Sequence, residues 1–165
     1  MADRLTDSDV KKIKEEIEYR KTVVRKETIA AVKSAREYGD LSENFEYHAA
    51  KKDKNKNESR IRYLERMLKN ATVISEESKE DEVGLNKKIT LYFEDDDCNE
   101  DYILVTSILG NSLENRISIE SPIGKAILGH KIGDRVFIEI SKGNGYYVLI
   151  KAIEVVDVDA PIRNY

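Results

Sequence analysis

The stretch AREYGDLSENFEYHAAKK, Ala35 to Lys52, breaks two long charged segments with a glycine and sets two carboxylates, Asp40 and Glu43, three residues apart beside it. Upstream, from Thr6 to about Tyr38, there is neither proline nor glycine, and apolar or small residues recur at Val10, Ile13, Ile17, Val24, Thr28, Ala31, Ala35 and Tyr38. Those steps of three, four and seven, with Arg20 filling one seam position, predict a helix with a narrow apolar stripe, roughly 50 Å long. Thr6, Asp7 or Asp9 is a suitable cap for its start. Gly39 supplies a stop, because glycine takes the left-handed conformation that ends a helix. Downstream, a second helix is expected from Leu41 or Ser42 to about Asn70, with a seam at Ala50, Asn57, Ile61, Leu64, Leu68 and Ala71. So short a connection forces the helices to be antiparallel neighbours, and residues 1–75 predict a coiled-coil hairpin. Between Ala50 and Ile61 the run KKDKNKNESR has nothing large and apolar to bury. The third of the hairpin next to the turn is therefore expected to be weakly held and mobile.

Beyond a polar linker, 76–86, the pattern becomes strand-like. KKITLYF (Lys87–Phe93), DYILVTSIL (Asp101–Leu109), NRISIE (Asn115–Glu120), DRVFIEI (Asp134–Ile140) and YYVLIKAIEVV (Tyr146–Val156) are rich in β-branched and aromatic residues and are separated by turn-forming sequences. No long helix lies between them, which favours an antiparallel sheet for residues 87–165. In SPIGKAILGHKIGD, Ser121 can cap and Pro122 can open a short helix that turns Ile123, Ala126, Ile127 and Leu128 toward the sheet. The fold class is α+β, a hairpin joined to a small sheet domain with a short helix.

Composition narrows the chemistry. No run approaches the length of a membrane span and the first residues lack the apolar core of a signal peptide, so a cytoplasmic protein is expected. One cysteine, Cys98, and two histidines, His48 and His130, exclude an intramolecular disulfide and a Cys/His zinc site; any metal would be held by oxygen. The net charge of −4 hides an asymmetry: residues 1–75 hold 18 Lys/Arg against 14 Asp/Glu, and residues 76–165 hold 10 against 18. An acidic whole argues against free binding to duplex DNA, while a basic half can still meet a phosphate backbone locally.

Asp40 and Glu43 admit two readings. As N-cap and N3 residues they form an acidic capping box, with Ser42 a rival cap, and need no further role. As exposed carboxylates at the end of a rod they supply part of a magnesium site whose other ligands come from a partner, since magnesium is held by one or two carboxylates plus waters and phosphate oxygens. Lys51, Lys52, Lys54, Lys56, Arg60 and Arg62 on the second helix, with Lys33 and Arg36 on the first, form either a solvated face or a steering field for phosphate-rich substrate. Tyr38, Phe45 and Tyr47 pack the turn or meet a base or a protein wall. His48 reads as a surface or packing residue, and the acidic loop Glu94–Asp101 as a solvated turn, because it lacks the spaced ligands and glycine of an EF-hand loop.

SAREYGDLSENFEYHAAKK resembles the tip motif of the bacterial Gre family of transcript-cleavage (transcription elongation) factors, and SPIGKAILGHKIGD resembles that family's C-terminal signature. The order of parts matches over nearly the whole chain. The resemblance implies an FKBP-like C-terminal domain that docks at the mouth of the secondary channel of RNA polymerase, and a hairpin that passes inward until its acidic tip reaches the active centre. It implies that Asp40 and Glu43 help hold a second Mg²⁺ shared with the polymerase, no cofactor being bound in isolation, and that Ser42, Asn44 and Tyr47 orient the tip. Lys51, Lys52, Lys54, Lys56 and Arg60 would face RNA; Ser121, Pro122, Ile123, Gly124, Gly129, Gly133 and Asp134 would serve docking. The implied activity is stimulation of the polymerase's own hydrolysis of backtracked RNA near its 3′ end, by a monomer that is not itself an enzyme. A channel regulator or inhibitor without cleavage is the alternative, and a coiled-coil scaffold that never meets polymerase the reading from another class. The modest basic balance of the hairpin leans toward the A type over the B type. Lys56 and Asn57 stand where members often carry a bulky apolar residue, and Lys26 near a frequent proline, which bears on hairpin rigidity and leaves the acidic chemistry untouched.

Overall fold

The computed structural model describes residues 2–39 and 43–164, which divide into two compact units. One comprises Ser8–Thr72 with the first residues of the chain; the other comprises Val73 onward and reclaims Arg4–Asp7. Among the described residues no helix is long and apolar enough to cross a membrane.

The hairpin unit is built from α1 (Asp7–Tyr19), a π-helical stretch (Arg20–Val24), α2 (Arg25–Arg36) and α3 (Phe45–Asn70). Ile13 and Ile17 of α1 and Ile61, Leu64 and Met67 of α3 are buried at the end away from the turn; Val32 and Ala35 of α2 are buried near it. The first arm is thus not the uninterrupted α-helix that the seam predicts. Its widened turn is stabilised by polar groups: the Thr22 hydroxyl donates to the Glu18 carbonyl (2.7 Å), and Asn57 Nδ2 reaches from α3 to the Arg20 carbonyl (3.3 Å). Hydroxyl bonding to a carbonyl one turn back is a known source of helix distortion.

Around that turn the two arms are joined by a polar layer. Asn57 (3% exposed) and Arg60 (7%) are buried. Arg20 Nη1 donates to Asn57 Oδ1 (3.1 Å), and Glu16 receives both Arg20 (3.1 Å) and Arg60 (3.3 Å). One step toward the turn, Arg25 forms a two-pronged pair with Glu58 (2.8 and 2.9 Å). Hydrogen bonding to that guanidinium holds the Glu58 carboxyl below its ordinary value. The segment that lacks large apolar residues is therefore bound to the first arm, at its end away from the turn, Asn57 to Arg60, by charge-assisted hydrogen bonds.

The second unit contains β1 (Arg4–Leu5), β2 (Thr72–Val73, shared with the hairpin unit), β3 (Lys87–Phe93), β4 (Cys98–Val105), β5 (Arg116–Ser118), α4 (Pro122–Ile127), β6 (Arg135–Ser141) and β7 (Asn144–Val155). Strands β3 to β7 form one curled sheet in the order β5-β4-β3-β7-β6. Antiparallel pairing, as expected, joins β3 to β4 and β7, and β6 to β7; β5 instead runs parallel to β4. The chain between them passes through 3-10 turns at Ser107–Leu109 and Ser112–Glu114, so it returns to lie alongside rather than folding back as a hairpin. Ile89, Leu91, Leu104, Ile138, Val148 and Ile150 alternate along their strands onto one buried face, and α4 closes it with Ile127. Val83 and Leu85, at the end of the stretch expected to be linker, also enter this core. Lys87, 5% exposed, donates through Nζ to the carbonyls of Lys79 (2.6 Å) and Glu82 (2.9 Å), which ties that stretch to the sheet.

Candidate functional site at the hairpin turn

Gly39 has φ of +104°, the conformation predicted for the stop after α2. Asp40 and Ser42 lie outside the described residues, so the pairing proposed for Asp40 with Glu43 is not placed geometrically. What is placed changes the choice between the two readings of Glu43. The N-cap of α3 is Asn44: its backbone is extended and its Oδ1 accepts from Tyr47 N (3.0 Å). The second helix therefore starts at Phe45, several residues later than expected, and Glu43 precedes the cap instead of sitting at N3. The capping-box account of Glu43 is overturned, since the helix begins at Phe45 with Asn44 as its cap and Glu43 is not its third residue. Glu43 is exposed.

Asn44 also donates Nδ2 to the Ala35 carbonyl at the end of α2 (2.7 Å), which in addition accepts from Tyr38 N (3.3 Å). One side chain thus ends one helix and begins the next, a stronger positioning role than the sequence disclosed. Tyr47 supports the turn from the side, with the Arg36 guanidinium 5.6 Å from its ring centre and His48 5.4 Å from it. Tyr38 and Phe45 do not pack the turn: they are 73% and 87% exposed and, with Glu43, Asn44 and Glu46, line an open hollow of about 440 Å³.

Of the residues expected to face RNA, Lys51, Lys52 and Lys56 are exposed and Lys54 is half-buried. Arg60 is not on that face; it belongs to the inner seam and is held by Glu16. The spacing Asn57, Arg60, Leu64, Met67 is itself a three-and-four pattern that could have placed it there. Among the described residues no cluster of three or more His, Cys, Asp or Glu side chains could hold a metal ion. An exposed carboxylate such as Glu43 suits a hard cation as one ligand of a shared site, not as a site alone. The loop from Glu94 is a turn between β3 and β4, and Asp97 in it accepts from the Tyr92 hydroxyl.

In the second unit the C-terminal signature is first of all structural. Ser121 caps α4 by accepting from Gly124 N (3.0 Å), with Pro122 opening the helix, and Ile123 packs against the core. Gly124 is buried and a Cβ there would lie 2.1 Å from the Ser118 carbonyl oxygen, so it is no part of an exposed docking face. Gly129 and Gly133 adopt φ of +83° and +92° in turns. Asp134 accepts from Lys131 N and bonds His130 Nδ1, both at 3.0 Å, and these contacts hold its carboxyl below the usual range. Pro122, Lys125, Leu128, Lys131 and Ile132 of this region face solvent, Leu128 and Ile132 being its exposed large apolar side chains.

These features define a two-unit protein: a helical hairpin whose turn carries exposed acidic and aromatic groups, and a sheet domain whose signature residues build the fold. Residues 4–73 match the family described as transcription elongation factor, N-terminal, and residues 77–155 match transcription elongation factor, GreA/GreB, C-terminal. The chain belongs to the GreA/GreB family of transcription elongation factors. It is 45% identical over 152 residues to transcription elongation factor GreA of Thermoanaerobacter pseudethanolicus, covering 92% of this chain and 95% of that one. GreA of Bacillus subtilis is 37% identical over 92% of this chain and 94% of its own length. The crystal structure of GreA factor homolog 1 (Gfh1) of Thermus thermophilus is 26% identical, with a TM-score of 0.44 over 93% of this chain and 99% of that one.

Proposed function

We propose that this chain acts as a GreA-type transcript-cleavage factor, entering the secondary channel of bacterial RNA polymerase hairpin first, as a cytoplasmic monomer. Its sheet domain, FKBP-like in this reading, docks at the channel mouth. The observation that carries the proposal is the release of Glu43 from helix capping: Asn44 does that work, and an exposed carboxylate stands ahead of the helix. Glu43, with Asp40 assigned from the resemblance of the tip motif, would help hold a second Mg²⁺ at the polymerase active centre. When bound there, that ion supplies positive charge for water activation and for the developing charge on the scissile phosphate. The protein's own part is to fix Glu43 through the two hydrogen bonds of Asn44, one to each helix, to hold Tyr47 against Arg36, and to steer RNA with Lys51, Lys52 and Lys56. The hydrolysis remains that of the polymerase, near the 3′ end of backtracked RNA.

Backtracked complexes provide the test. Glu43→Gln removes charge at nearly constant shape, so it should leave competition for polymerase unchanged and lower the cleavage rate about 100-fold. Full cleavage by Asp40→Asn/Glu43→Gln would end the proposal, and binding without cleavage by the unaltered protein would favour a channel regulator.

A further inference from the structure

Two large aromatic side chains left in water at one turn need a reason, because burying each would contribute roughly 2 kcal/mol. Tyr38 (73% exposed) ends the first arm and Phe45 (87%) begins the second, and both line the same hollow as Glu43 and Glu46. The third aromatic residue of the turn, Tyr47, does pack, against Arg36 and His48, so the turn can be braced without the other two. The hollow is wide open to solvent, so it offers faces to stack on and does not enclose a ligand. Its rim is acidic, which repels phosphate. Its aromatic faces attract a flat unsaturated ring, and its carboxylates can accept hydrogens from an exocyclic amino group, as acidic side chains do when they contact cytosine.

We infer that Tyr38 and Phe45 form a stacking platform for the unpaired base at the RNA 3′ end, with Glu46 accepting from its amino group, and so position the strand that Glu43 acts on. The inference rests on the reading of the turn as a cleavage-factor tip. It assigns positioning, not chemistry, to the two aromatic residues. Bases that carry an exocyclic amine, adenine and cytosine among them, are held better than uracil, which has none.

The test uses backtracked polymerase complexes carrying 2-aminopurine at the RNA 3′ end, with fluorescence read in the Glu43→Gln background so that the RNA stays intact. The factor should quench the probe; adding Tyr38→Ala and Phe45→Ala should abolish the quenching. In the otherwise unaltered protein the same pair should slow cleavage about 10-fold at an unchanged half-saturating factor concentration, and Phe45→Trp should retain the rate. Both changes are on exposed side chains, and unchanged helical circular dichroism confirms that the hairpin persists. Quenching that survives the double substitution overturns the platform. So does an equal cleavage defect on RNA with an abasic 3′ end, which would make the aromatic residues contacts to a protein wall, or a raised half-saturating concentration, which would make them docking residues. Quenching by a protein that never stimulates cleavage would leave the platform standing and remove the cleavage function.

Discussion

In the sheet domain Ile89, Leu91, Leu104, Ile138 and Ile150 are wholly buried together, whereas the middle of the hairpin buries Asn57 and Arg60 and surrounds them with Glu16, Arg20, Arg25 and Glu58. Both arrangements hold secondary-structure elements together, but they answer to different physics. Apolar burial is non-directional and scales with area; the polar layer depends on geometry, because a one-residue slip of α3 would strand buried donors and acceptors. The hairpin thus gives up hydrophobic stability for a fixed alignment of its arms. Alignment determines which residues stand at the turn, and so what the end of the hairpin presents.

Ile138→Ala leaves a cavity in the sheet core and should cost about 2–5 kcal/mol there, read as lost amide protection in β3, β6 and β7, with the amides of α3 spared. A smaller loss, about 1–3 kcal/mol, is expected in the hairpin for Arg60→Ala, which leaves Glu16 partly buried with one arginine fewer. Exchange in α1 and α3 should then accelerate while the sheet is unchanged; an effect no larger than that of Lys56→Ala, on the exposed face, would show the layer to be incidental. The smallest effect concerns acid. Glu58 titrates below its ordinary value of 4.5 because of Arg25, so its contribution is complete above that value and is lost as pH falls through the lowered one. The gap in hairpin stability between the unaltered protein and Glu58→Gln should therefore be constant near neutrality, shrink below about pH 4.5, and be reduced by salt, with no such dependence in the sheet core.

Much of this was legible in the sequence, for reasons that differ by element. The strand Lys87–Phe93 coincides with its predicted limits because alternation is the direct imprint of a half-buried strand. Gly39 announced the stop because few residues other than glycine take positive φ easily. The π-helical turn left no mark, since widening a helix by one residue changes no residue type and its supports come from Thr22 and from Asn57 on the other arm. Arg60 reads as a surface cation in the sequence because only its charge is visible there, while its place in the seam depends on a glutamate 44 residues away. At the turn the carboxylates drew attention away from Asn44, whose two hydrogen bonds need three-dimensional proximity to Ala35 to become visible.

The dependence of RNA cleavage on magnesium tests the role of Glu43 most directly. With backtracked polymerase complexes, the unaltered protein should lower the magnesium concentration that gives half-maximal cleavage, and Glu43→Gln should return it to the value of polymerase alone while still occupying the channel. A Glu43→Gln protein that shifts the magnesium requirement as far as the unaltered one would contradict the account.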